Sequence, residues 1–301
     1  MEKDSKKDTS IITFLKGVSM GLADLVPGVS GGTIALIAGI YERLILAIRS
    51  IDLKILIYLL RSPFDRKYLE KTKQSFQSID YKFLLPLAGG IATAIIGASR
   101  LMYFLLFNYP AYINSFFFGL ILISAGLVYN RINEKTLKNA LSGPIGFLFA
   151  FIYAEVSLTI SIHILPVIFI SGFLAICAMI LPGISGAFIL YFLGQYDYMI
   201  NALHSFPKSW PTIVVFLLGA VISLFSFSRL LSYLLKKYHA QTLFFLTGLM
   251  LGALRLPFRK VIAALEAPGI IQNPLTLAGA IISGLLGAFI LIIIEMKRLR
   301  R

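Results

Sequence analysis

The sequence has 301 residues, 58% of them hydrophobic and only 14% charged, whereas a soluble globular chain is roughly 45–50% apolar and about 25% charged. With a mean hydropathy of +0.85, this composition excludes a soluble domain and a disordered chain, and the single cysteine, Cys177, excludes a disulfide scaffold. The net charge of +14, from 28 Lys and Arg against 14 Asp and Glu, would suggest nucleic acid in a soluble protein; in a membrane chain it reads as the retention of Lys and Arg in cytoplasmic loops, and no nucleic-acid partner is expected.

The polar start MEKDSKKDTS leads into an apolar run, 11–26, that Lys16 and Asp24 interrupt. No small-residue cleavage site follows, so it does not read as a signal peptide. The run ends at Pro27 in VPGVSGG, and a second run, 31–48, follows. Sixteen helical residues rise about 24 Å, short of the roughly 30 Å hydrocarbon core, so 11–48 reads as a broken hairpin. The basic loop 49–82 is expected to form an amphipathic surface helix and a linker drawn to anionic lipid. Full spans are predicted at 83–107, 113–129 and 143–161. A second broken pair follows, 167–181 ending at Pro182 in LPGISGA and then 186–203, before spans at 212–235, 241–256 and 275–295.

With each broken pair leaving on the side it entered and the N-terminus in the cytoplasm, the inside segments are 1–10, 49–82, 130–142, 236–240 and 297–301. They carry twenty Lys and Arg, against four outside, Lys208, Arg255, Arg259 and Lys260. This bias places both termini in the cytoplasm. Lys16, Arg43, Arg100 and Arg229 remain within membrane segments, as do the acids Asp24, Glu42, Glu155 and Asp197. Such residues are costly in a bilayer and mark functional candidates.

The chain repeats itself. ADLVPGVSGGTIALIAGIYERLILA (23–47) matches AMILPGISGAFILYFLGQYDYMINA (178–202) at an offset of 155, pairing Pro27 with Pro182, Ser30 with Ser185 and Gly39 with Gly194. Ser99-Arg100-Leu101 meets Ser228-Arg229-Leu230 at an offset of 129. Each half holds one broken pair and three spans, an odd number of crossings, so the halves must point in opposite directions. The expected fold is an all-α polytopic membrane protein of two inverted-topology repeats, each a re-entrant-like helix hairpin plus three transmembrane helices. It forms a single membrane domain over 1–301, with repeat one at about 10–161 and repeat two at about 162–301. Inverted repeats with discontinuous helices characterise secondary transporters, whose site lies near the midplane between the repeats.

The two P-G-[VI]-S-G tips suit an anion. Proline and glycine end one helix and permit a sharp turn, and the first N–H groups of the next helix lack intrahelical partners. Small residues at a tip also allow tight packing, but their recurrence in both halves favours a ligand role. The expected phosphate-binding set is Ser30, Gly31, Gly32, Thr33, Ser185 and Gly186, joined by Arg100 and Arg229, whose guanidinium groups bind phosphate through two bonds. No metal-ligand spacing and no phosphate-binding P-loop occurs in the sequence, and three scattered histidines, His163, His204 and His239, supply no nucleophile–base pair. No cofactor and no catalysis is expected.

ADLVPGVSGGTIALIAGIYERLI and ILPGISGAFILYFLGQY closely resemble the bacterial polyprenyl-phosphate (undecaprenyl-phosphate) transporter family, over nearly the whole chain. The resemblance implies a translocase in the bacterial cytoplasmic membrane that returns undecaprenyl phosphate from the outer to the cytoplasmic leaflet for cell-envelope synthesis. The alternatives are a transporter of a small soluble anion and, in a third class, a non-transporting membrane scaffold. A phosphate head carries about −1.5 to −2 charges, and moving it against an inside-negative potential costs roughly 2.3 kcal/mol per charge per 100 mV. A co-moving proton or sodium ion is therefore expected, held by Glu155 first, then Asp24, Glu42 or Asp197.

Overall fold

The computed structural model describes residues 9–26, 29–51, 58, 66–154, 162–205, 207–266 and 274–299, and every regular element among them is a helix. In chain order these are α1 (Ser10–Asp24), α2 (Gly31–Ile37), α3 (Tyr41–Arg49), α4 (Arg66–Gln77), α5 (Tyr81–Asn108), α6 (Pro110–Asn130), α7 (Leu137–Ala140), α8 (Ser142–Tyr153), α9 (Leu165–Ile180), α10 (Gly186–Phe192), α11 (Tyr196–His204), α12 (Trp210–Lys237), α13 (His239–Ala253), α14 (Arg255–Leu265) and α15 (Pro274–Leu299). Among the described residues five stretches are long and apolar enough to cross a membrane: α5, α6, α12, α13 with α14, and Leu275–Ile293 of α15. A bent pair, α2 with α3, makes a sixth candidate.

Two expectations need correction. The runs 31–48 and 186–203 are not single helices. Each breaks at a glycine with positive φ, Gly39 at 69° and Gly194 at 64°, a backbone region that side chains with a Cβ avoid. The bend between α2 and α3 is 115°. Both breaks are built alike: Gly39 N–H bonds Leu36 O at 3.2 Å and Ile40 N–H bonds Ala35 O at 3.0 Å, while Gly194 N–H bonds Tyr191 O at 3.0 Å and Gln195 N–H bonds Leu190 O at 2.8 Å. This crossed pair of bonds satisfies the last carbonyls of a helix that ends on a left-handed residue. Second, Arg255, Arg259 and Lys260 do not form an outside loop but lie on α14, which packs against α6. The span predicted at 143–161 is seen as helix over Ser142–Tyr153; its remainder, 155–161, lies outside the described residues.

Four helix pairs hold the molecule together: α1 with α5, α9 with α12, α6 with α15, and α8 with α13. Glycines bring these backbones into direct contact, in matched places. A Cβ on Gly17 would run into the Leu87 carbonyl oxygen, and one on Gly172 into that of Phe216. The glycines differ by 155 and their targets by 129, the two offsets found in the sequence. Likewise Gly119 lies on Gly284 O and Gly248 on Gly143 O. Such close approach lets helices associate where lipid supplies no hydrophobic drive. The centre is filled by fully buried Tyr41, Ile45, Phe83, Leu87, Ile121, Leu246, Leu249 and Met250. Helices α6 and α13 run through the interior, while α5, α12 and α15 present broad apolar faces outward, as helices bordering lipid require.

Candidate functional site

The two tips meet. The first turn leads from Asp24 at the end of α1 to Ser30, which caps α2; the second leads from Ile180 at the end of α9 to Ser185, the residue that precedes α10. Pro27 and Gly28 lie outside the described residues, whereas Pro182 and Gly183 are buried. Ser30 Oγ donates to the carbonyls of Met179 (3.2 Å) and Leu181 (3.1 Å) and accepts the Gly32 N–H (3.1 Å). Tyr41 Oη donates to Ile180 O at 3.2 Å, and Gly183 N–H donates to Thr33 Oγ1 at 2.9 Å. The last carbonyls of α9 have no partner within their own helix, and hydroxyls of the other hairpin supply one. The electropositive start of α2 also faces the electronegative end of α9, a favourable dipole arrangement.

Asp24 completes the first tip. Its Oδ1 accepts the Gly31 N–H at 2.7 Å, and a Cβ on Gly31 would lie 2.6 Å from Oδ2. A carboxylate thus sits where an anion bound to the start of α2 would place an oxygen. Thr33 N–H bonds Ser30 O at 2.9 Å, so all three leading N–H groups of α2 are engaged. Six of the seven α2 residues are buried.

The second tip differs. Ser185 is buried, yet its side chain caps nothing, and no residue of α10 is buried. Gly183 has φ of 89° and stands against α13, where a Cβ would meet Met250 Cα at 3.0 Å and Leu249 O at 3.1 Å. Leu249 and Met250 lie near the middle of the membrane-length stretch His239–Leu265.

Ser30, Gly31, Gly32, Thr33, Ser185 and Gly186 are therefore brought into one region. Arg100 and Arg229 are not seen to join them: both are exposed, and neither forms a hydrogen bond or ion pair among the described residues. The buried stripe of α5, through Phe83, Leu87, Gly90 and Ala94, lies on another face from Arg100, which shares its side with Ile96, Tyr103 and Phe107, the last three 73–80% exposed. Arg229 shares its side with exposed Ile222 and Tyr233. Each arginine is about 12 Å from the end of its helix at helical rise.

Among the acids, Asp24 alone is seen at a tip. Glu155 lies outside the described residues. Glu42 and Asp197 occupy the first turns of α3 and α11, where a carboxylate stabilises the helix start; both are exposed, and Glu42 pairs with His239 Nε2 at 3.0 Å. Among the described residues no three His, Cys, Asp or Glu side chains gather as a metal site requires.

Sequence reasoning passed over Tyr41, Arg131 and Gln195. Tyr41 is fully buried and ties the hairpins; its only signal was its place in the repeat, opposite Tyr196. Gln195 is fully buried beside the second break. Its Nε2 donates to Ile162 O (3.0 Å) and Leu193 O (3.3 Å), and its Oε1 faces His163 Nδ1 at 3.1 Å. Arg131 was counted as loop charge, but it bridges Glu295 and the Leu36 carbonyl.

A family described as VCA0040-like, undecaprenyl phosphate translocase-like, matches residues 20–272 of the chain. A polyprenyl-phosphate transporter of Vibrio cholerae is 44% identical over 245 residues, covering 80% of this chain and 75% of that protein. A polyprenyl-phosphate transporter of Staphylococcus aureus is 30% identical over 259 residues, covering 81% of this chain and 84% of the relative. No solved structure matches.

Proposed function

The chain belongs to the undecaprenyl phosphate translocase-like family, and we propose that it carries a polyprenyl phosphate across the bacterial cytoplasmic membrane, returning the phosphate head to the cytoplasmic leaflet. One observation carries the reading: two turns of the same motif face each other inside a helical membrane protein, and a carboxylate stands on the first N–H of one of them. The proposed head-group site is Ser30, Gly31, Gly32 and Thr33 with Ser185 and Gly186. Arg100 and Arg229 recruit the lipid. Their exposed positions among apolar and aromatic residues let a phosphate reach a guanidinium while its chain stays in hydrocarbon. That setting favours a lipid over a small soluble anion.

The two halves act as inverted repeats of one membrane domain. Supporting this are the matched glycine contacts and the matched breaks at Gly39 and Gly194. The charge bias supports cytoplasmic termini.

A phosphate oxygen and the Asp24 carboxylate compete for the same Gly31 N–H, and two like charges at one donor repel. Protonation releases Asp24 and admits the head group, so each inward step carries a proton and lowers the charge moved. Among the acids weighed for coupling, Asp24 therefore leads, ahead of Glu155; Glu42 and Asp197 stabilise helix starts. Sodium coupling is the competing outcome.

The test is reconstitution in liposomes, following leaflet exchange of a short-chain polyprenyl phosphate at several pH values, with and without a pH or sodium gradient. Exchange that quickens as pH falls is expected. Transport of inorganic phosphate in place of the lipid would overturn the reading.

A further inference from the structure

Helix α2 has only seven residues, so it spans about 10 Å. Its tip is at one end and the Gly39 break at the other, and whatever fixes the break sets the line along which the tip points. Arg131, directly after α6, does this. Its Nη2 donates to both carboxylate oxygens of Glu295 on α15, at 2.9 and 3.1 Å, and its Nη1 donates to Leu36 O at 3.3 Å. That same carbonyl receives the Gly39 N–H in the closing bonds of α2. Both charged side chains are largely shielded, 29% and 16% exposed. Helices α6 and α15 touch backbone to backbone at Gly119 and Gly284 and again at Phe116 and Gly287, so they form one tightly packed pair.

We infer that Arg131 is a positioning residue of the transport cycle, pinning the hinge of the first hairpin to the α6–α15 pair. The inference rests on the transport reading above. A guanidinium can hold a carboxylate and a carbonyl at once through separate N–H groups, while the ammonium of lysine is a point charge that cannot reproduce the fork. At the second hinge the side chain of Gln195 ties Leu193 O to Ile162 O and His163. The first hairpin is thus anchored to the scaffold by charge, and the second by amide and imidazole contacts to the segment before α9.

The experiment uses the full-length protein in liposomes, as wild type, Arg131→Lys, Arg131→Gln and Glu295→Gln. Exchange is measured against polyprenyl-phosphate concentration, with thermal unfolding in detergent alongside. Both Arg131 variants should lose about tenfold or more in maximal rate, with the half-saturating concentration within about threefold of wild type. Glu295→Gln keeps the bond to Leu36 and should lose less than about threefold. A wild-type rate for Arg131→Lys overturns the assignment. So does a loss of rate that follows a loss of folded protein in all three variants, which would make the ion pair a stabiliser alone. A raised half-saturating concentration at unchanged maximal rate also overturns it, since Arg131 would then touch the head group. If the wild type exchanges no polyprenyl phosphate, the transport reading fails and takes this inference with it; the wild-type measurement alone separates that case from the others.

Discussion

The two hairpins share a motif and a chain path, yet they sit in opposite states. At the first, Ser30 caps α2, Asp24 holds Gly31 N–H, and α2 is almost wholly buried. At the second, Ser185 caps nothing and α10 has no buried residue. The repeated sequence therefore specifies the turn, while the neighbours decide whether its N–H groups are occupied. The decisive neighbour is a single residue: the place matching Asp24 is held by Met179, whose carbonyl receives a bond from Ser30. One tip carries its own anion; at the other, no side chain among the described residues caps the helix start.

The comparison is broken most severely by removing what the halves have in common. Gly17→Val and Gly172→Val would drive side chains into backbone carbonyls that cannot yield. Overpacking typically costs about 1–3 kcal/mol, and contact with main chain raises that. Both variants should lose most of their folded protein in the membrane, to a similar extent, as read by detergent extraction and size-exclusion chromatography. A large loss for one and none for the other would mean that the halves do not share the load.

The next effect falls on transport. Asp24→Asn keeps a side chain that can accept the Gly31 N–H but cannot release it by gaining a proton. Exchange should fall about tenfold or more and lose its dependence on pH, whereas the wild type should quicken as acidity frees the tip. Glu155→Gln is the companion variant, and it should leave the pH profile in place. A pH profile that survives in Asp24→Asn and vanishes in Glu155→Gln would reverse the order of the two acids.

Serine to alanine at each tip sharpens the comparison in stability. Ser30→Ala removes a cap and the bonds to Met179 and Leu181, so it should cost about 1–2 kcal/mol. Ser185→Ala removes no cap and should cost less than about 0.5 kcal/mol. Thermal unfolding in one detergent compares them directly, and equal shifts would show that the tips are held alike.

Much of this was legible in the sequence because membrane helices announce themselves by length and apolarity, and the tips by proline and glycine. The predicted spans at 83–107, 113–129, 212–235 and 275–295 lie within α5, α6, α12 and α15. The breaks at Gly39 and Gly194 were not read, although both glycines were matched in the repeat, since a lone glycine in an apolar run does not reveal the sign of its φ. Partnerships were the least legible. Arg131 and Glu295 lie 164 residues apart, and Asp24 looked like one costly acid among four until its distance to Gly31 was seen.

The smallest effect tests whether the other two acids belong to the mechanism at all. Glu42 and Asp197 are matched by the repeat, and their place within membrane segments set them beside Asp24 and Glu155 as candidate ion carriers. Their surroundings argue otherwise. Each lies in the first turn of a helix, where a carboxylate is stabilised by the unpaired N–H groups whatever the protein does. Both are exposed, and the Glu42 pair with His239 is open to solvent on both sides; such pairs contribute roughly 0.2–1 kcal/mol. Glu42→Gln and Asp197→Asn should each shift stability by only about 0.5 kcal/mol, and both should retain the wild-type exchange rate and pH profile. An altered pH profile in either variant would return that acid to the coupling path and weaken the case for Asp24, because a proton carried at another helix start would not need the Gly31 N–H to be vacated.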